Sequence, residues 1–158
     1  MKKIMIMALL VLSATTVFAG DSEPLKAIMK ANDFAKAQEL VKSSLSQLPN
    51  DEEKAKAYNK LVELAMSKVE KEQTIITQNQ LAEQLKQGKV EPFDTVGYYT
   101  AIYNAIYNAI ECDKYDQMPN SKGKVKPRFH NANQSKLYSL RPNLINGGQE
   151  AAQKQDQQ

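Results

Sequence analysis

The stretch DEEKAKAYNKLVELAMSKV, residues 51–69, decides the fold class. Ala55, Tyr58, Leu61, Val62, Ala65 and Val69 recur at spacings of three and four, the pattern of one buried face of an α-helix. Asp51, Glu52 and Glu53 stand at its start, where the positive end of the helix dipole favours acids. Beyond Thr74 the apolar positions Leu81 and Leu85 move to the opposite face. Either the helix continues and meets different neighbours along its length, or it breaks between Glu72 and Thr77. Gly88 is expected to end it.

The same periodicity spreads outward in both directions. On the N-terminal side, Ser22 and Pro24 open a short helix reaching about Ala31. After an Asn32-Asp33 turn, with Asp33 as cap, a second helix runs to about Leu48 and buries Phe34, Ala37, Leu40, Val41, Ser44 and Leu45. Pro49-Asn50 closes it. On the C-terminal side, Pro92 and Asp94 open a fourth helix that extends to about Tyr115. Residues 117–127 read as a loop with two prolines and a glycine. A fifth helix starts near His130, with a kink or restart at Pro142, and the polar residues 153–158 form a frayed tail. No run of β-branched residues alternates over a strand's length, so the spacing predicts an all-α fold of about five antiparallel helices.

Composition narrows the function classes. The chain has 158 residues, one Cys (Cys112), one His (His130) and no Trp. These counts exclude a Cys/His zinc cage and an internal disulfide framework. The first residues read as an address: basic Met1-Lys2-Lys3, an apolar run from Ile4 to Val17, and Val17-Phe18-Ala19 as a small-residue cleavage site. Cleavage after Ala19 would leave residues 20–158, no transmembrane helix, and 19 basic against 18 acidic side chains. That balance carries no footprint for nucleic acid. The expected setting is the periplasm or cell envelope, or outside the cell. There Cys112 is either buried or open to an intermolecular bridge.

Asn32-Asp33-Phe34-Ala35-Lys36-Ala37, followed by Leu40-Val41, Ser44-Leu45 and Pro49-Asn50, resembles the second half of a tetratricopeptide repeat. The resemblance implies that Phe34 packs at a hairpin corner, that Ala37 allows close helix approach, and that Pro49 stops the second helix. Residues 145–156 resemble the first helix of such a repeat, with Gly148 at the small contact position and Asp156 at the following turn. Together these imply a tetratricopeptide-like helical domain over residues 20–152, as a short version of a longer helical-repeat protein that binds other proteins.

The fourth helix carries a four-residue repeat: Tyr99-Thr100-Ala101-Ile102, Tyr103-Asn104-Ala105-Ile106, Tyr107-Asn108-Ala109-Ile110. At 100° per residue Tyr99, Ile102, Tyr103, Ile106 and Ile110 share one face, with Tyr107 at its margin, and Ala101, Ala105 and Ala109 form a second. This suits a helix packed on two sides, or an aromatic ladder that grips a peptide or stacks on sugar rings. Lys122, Lys124, Lys126 and Arg128 concentrate positive charge in the next loop. Seven basic residues stand against three acids between Glu111 and Arg141. The acids Glu52/Glu53, Glu70/Glu72 and Asp113/Asp116 alternate with lysines as helix-surface pairs do. No phosphate-binding loop or nucleophile motif occurs. The expectation is a non-enzymatic, cofactor-free binder of another protein or peptide, through Tyr98, Tyr99, Tyr103 and Tyr107 with Lys122, Lys124, Lys126 and Arg128 as a secondary patch. The alternative is an envelope factor that binds glycan or an anionic surface. Oligomeric state is not set by the sequence.

Overall fold

The computed structural model describes residues 20–155 except Ser121, and side chains as far as residue 149. The expected leader, residues 1–19, lies outside the described residues. Five helices and no strands are described: α1 (Glu23–Lys30), α2 (Phe34–Ser44), α3 (Asp51–Leu85), α4 (Thr95–Asp116) and α5 (His130–Gln155). None is long and apolar enough to cross a membrane.

Four of the five starts are set by a capping side chain. The Ser22 hydroxyl accepts from Leu25 N–H, Asp33 from Lys36 N–H, Asn50 from Glu53 N–H and Asp94 from Gly97 N–H. The ends differ from expectation in three places. α2 stops at Ser44 and tightens into a 3-10 turn over Leu45–Gln47. α3 takes the first of the two courses the spacing left open and continues past Glu72 for 35 residues in all, about 52 Å at 1.5 Å per residue, but stops short of Gly88. It ends at Leu85 because Lys86 turns left-handed (φ 50°), two residues ahead of Gly88. α5 passes through Pro142 without restarting and reaches Gln155.

The chain folds back on itself between α3 and α4. The Cys112 thiol donates to Ala55 O at 3.3 Å and Gln73 Nε2 donates to Tyr98 Oη at 3.3 Å, so α4 runs antiparallel to α3. Val62, Ala65, Met66 and Val69 of α3 meet Tyr98, Ala101, Ile102, Ala105 and Ala109 of α4, with Leu140 of α5 closing the cluster. The alanines of α4 let the two axes approach closely. A second cluster joins Leu25 and Ile28 of α1, Ala37 and Val41 of α2, Leu48, and Ala57 and Leu61 of α3. Phe34, at the α1–α2 corner, packs against both clusters.

Three of these helices have their starts held by a buried carboxylate from another segment. Glu53 accepts from Ser22 N–H (3.0 Å) and from the Ser22 hydroxyl, fixing α1 to α3. Glu72 accepts from Asp94 N–H (2.9 Å) and fixes the start of α4. Asp116, at the end of α4, accepts from the N–H groups of Arg128, Phe129 and His130 at 2.8–3.0 Å and fixes the start of α5. These acids are therefore interior clasps, where their spacing predicts surface pairs.

Candidate functional site

Helix α4 carries the tyrosines singled out by sequence, and its four-residue repeat explains how they are displayed. Four residues advance an α-helix by about 40° beyond a full turn, so each repeated residue drifts around the helix. The isoleucines walk out of the core: Ile102 is buried, Ile106 half-buried and Ile110 54% exposed. The tyrosines start further round. Tyr99 is half-buried, and Tyr103 and Tyr107 are 65% and 47% exposed. The alanines drift across the face that meets α3 and all stay buried. The face closest to α3 is therefore the alanine face, and the tyrosine–isoleucine face is only partly covered.

The four tyrosines singled out by sequence do not act together. Tyr98 is 4% exposed and belongs to the core, its ring edge-on to Tyr99 at 5.1 Å; it is not a surface contact. Tyr99 lies against α5, where the backbone of Gly147 passes so close that a Cβ there would stand 2.1 Å from the Tyr99 hydroxyl. The small contact position is thus Gly147. Gly148, expected in that role, faces open space. Tyr103 and Tyr107 stack on each other (centroids 6.2 Å apart, planes at 18°) and point to solvent. With Ile110 they form an outward stripe at i, i+4 and i+7.

Ile110, at one end of this stripe, lines a groove between α4 and α5. α5 runs antiparallel to α4: His130 Nδ1 lies 2.7 Å from Asp113 Oδ1, and Gly147 meets Tyr99. The groove is open to solvent, has a volume of about 400 Å³, and is lined by Ala109, Ile110 and Leu137 with the polar side chains of Asp113, Lys114, Gln117, His130, Asn133 and Gln134. On the α5 side Tyr138 stands 72% exposed. Tyr138 and Ile110 were not among the sequence candidates. Ile110 becomes visible only when the drift of the repeat is followed beyond its first turn.

The basic loop is a second feature. Lys122, Lys124, Lys126 and Arg128 are all exposed. The Asn120 side-chain oxygen accepts from the N–H groups of Lys122 (2.9 Å) and Lys124 (3.1 Å), giving the loop a defined turn. Arg128 pairs with Glu52 at the start of α3, so its charge is matched internally. Lys126 and Arg128 line a cleft of about 480 Å³ beside Asp51, Glu52 and Asn120, with Tyr115, Met118 and Pro119 as its apolar lining. The tyrosine stripe and the basic loop thus sit apart, one along α4 and the other at the end of the helix pair.

Among the described residues no group of three metal-ligating side chains comes together. The Cys112 thiol is buried between α3 and α4, and burial pushes its pKa up to about 12. No family model, curated protein or solved structure matches the chain.

Proposed function

We propose that this chain is an exported helical scaffold that binds another protein or peptide and catalyses no reaction. The observation that carries the reading is the outward stripe of Tyr103, Tyr107 and Ile110, of which Ile110 lines the α4–α5 groove. Exposed aromatic side chains set next to one another are the residue types that dominate protein interfaces. The buried acids that chemistry could have used are spent on backbone N–H groups: Glu53, Glu72 and Asp116 each hold a helix start. Export rests on the order of the basic, apolar and small-residue segments within residues 1–19. The tetratricopeptide-like element is confined in this proposal to α1 and α2, where Phe34 sits at the corner and Ala37 in the contact. The 35-residue α3 departs from that pattern.

The test compares proteins retained from envelope extract by the chain and by its Tyr103→Ser/Tyr107→Ser variant. Both side chains are exposed, so the circular dichroism of the variant should match that of the parent. The expected result is a retained protein lost in the variant. Identical retention by both contradicts the reading. The envelope-factor alternative draws on the exposed lysines 122, 124 and 126. It requires salt-sensitive retention on polysaccharide or an anionic surface that their neutralisation abolishes and the tyrosine change leaves intact.

A further inference from the structure

Helix α5 changes character at Pro142. Ahead of it Asn133 and Leu140 are buried, whereas from Asn143 to Gln149 no residue is. Pro142 has no N–H to give the Tyr138 carbonyl, so the helix lacks a rung at that point. Just before it the Ser139 hydroxyl donates to Lys136 O at 2.6 Å, a back-bond of the kind that bends helices. Beyond this joint come Gly147 and Gly148, the residue type that costs a helix interior most after proline. Gly147 has a packing reason, because any side chain there would run into the hydroxyl and Cε1 of Tyr99. Gly148 has none. A Cβ at that position meets nothing within 4 Å, so alanine would fit and would strengthen the helix. The second half of α5 therefore fits α4 closely at Gly147 and holds its own helix weakly.

We propose that residues 143–155 are a latch that unwinds from Pro142 onward and so covers or uncovers Tyr99. Closed, as in the structure, the latch leaves Tyr103 and Tyr107 as the exposed rings of α4. Open, it adds Tyr99 one turn away, and the exposed ladder grows from two rings to three at i, i+4 and i+8. Tyr98 stays in the core and keeps the Tyr99 ring edge-on at 5.1 Å, so the third ring is held in place when the latch lifts. The first half of α5 remains docked. Leu140 sits in the main core, and Asp116 holds the N–H groups of Phe129 and His130. Segments with few buried side chains open locally at lower free energy than the core they rest on. A partner that needs Tyr99 would draw the open state out of the ensemble. That last step rests on the docking reading above, whereas the latch itself does not.

Hydrogen exchange followed by mass spectrometry, with tetranitromethane nitration of the same full chain, reads the latch. The amides of residues 143–155 should exchange faster than those of α3 yet well below the rate of an unstructured peptide. Tyr99 should be nitrated more slowly than Tyr103. Pro142→Ala with Gly148→Ala restores a rung and strengthens the helix without touching α4, and should slow both rates at least about tenfold. Gly147→Leu cannot seat on Tyr99, so Tyr99 should then be nitrated as fast as Tyr103 while Tyr98 stays protected. Exchange of 143–155 in step with α3, with Tyr99 untouched short of global unfolding, overturns the proposal. So does exchange at the unstructured rate with Tyr99 as reactive as Tyr103 in the parent, since no latch then closes. Rates left unchanged by Pro142→Ala with Gly148→Ala, or by Gly147→Leu, contradict it as well. Failure of the docking reading shows elsewhere, as identical retention by the parent and its Tyr103→Ser/Tyr107→Ser variant, and moves neither rate.

Discussion

Gly147 and Tyr99 set how closely α5 approaches α4. A Cβ at Gly147 would fall 2.1 Å from the Tyr99 hydroxyl, whereas one at Gly148 meets nothing within 4 Å. Gly147→Ala should therefore cost about 1–3 kcal/mol by overpacking, more than the roughly 1 kcal/mol that Ala gains over Gly in a helix. Gly148→Ala should show the gain alone. Urea unfolding of the two variants separates these effects, and a stabilised Gly147→Ala would show that α5 does not lie against Tyr99. The right glycine was readable: Leu140, Leu144 and Gly147 share a face at i, i+4 and i+7, and Leu140 is fully buried. Register against a repeat family pointed to Gly148 instead. Cys112 makes a second residue-scale prediction. Buried and with its thiol pushed up to about 12, it should resist iodoacetamide in the folded chain at neutral pH and react once the chain is unfolded. Rapid alkylation of the native protein would place the thiol at the surface.

The clasps act at the scale of whole helices. Asp116→Ala leaves three N–H groups at the start of α5 without their acceptor and should cost about 2–3 kcal/mol. Denaturant unfolding measures that loss, and a change within error would mean α5 is held by its apolar side alone. Glu72 has its carboxyl held below the usual range, first by the Lys68 ammonium and then by the Asp94 N–H. Asp94 is also held low, first by the Gly97 N–H and then by Lys68. A depressed folded pKa means stability that is present above the unfolded carboxylate range and lost as pH falls through the folded value. The melting temperature should therefore drop on acidification through and below the ordinary values of 4.5 for a glutamate and 3.8 for an aspartate. Glu72→Gln should flatten that acid limb while lowering stability at neutral pH. An acid limb as steep in the variant as in the parent would show that Glu72 does not clasp α4. The sequence did carry a trace of these roles. Glu72 continues the buried series Val62, Ala65 and Val69, and Asp116 continues Ala105, Ala109 and Cys112. An acid in an apolar stripe is a signal that alternation with lysines conceals. Which backbone it reaches is a tertiary matter that no local pattern encodes.

At the scale of the molecule, the helix class and the caps Ser22, Asp33 and Asp94 were legible, because capping and 3.6-residue periodicity are local, whereas the place of Phe34 between α1 and α2 came only from a resemblance. The continuity of α3 was not, since Leu81 and Leu85 project past the end of α4 and stay exposed without a partner to explain them. Nor was the outward face of α4. Two apolar stripes on one helix leave the choice of inward face to packing, and the alanine stripe allows the closer approach to α3. Ala105→Leu should therefore disrupt the α3–α4 seam by about 1–3 kcal/mol, while Tyr107→Ser on the opposite side should leave the melting temperature nearly unchanged. Which way α4 turns its rings is the point on which the proposed binding surface stands or falls. Nitration of the folded chain with tetranitromethane, mapped by peptide mass spectrometry, reads it directly. Tyr103, Tyr107 and Tyr138 should be modified while Tyr98 stays protected until the chain unfolds; modification of Tyr98 as fast as Tyr103 in the native state would contradict it.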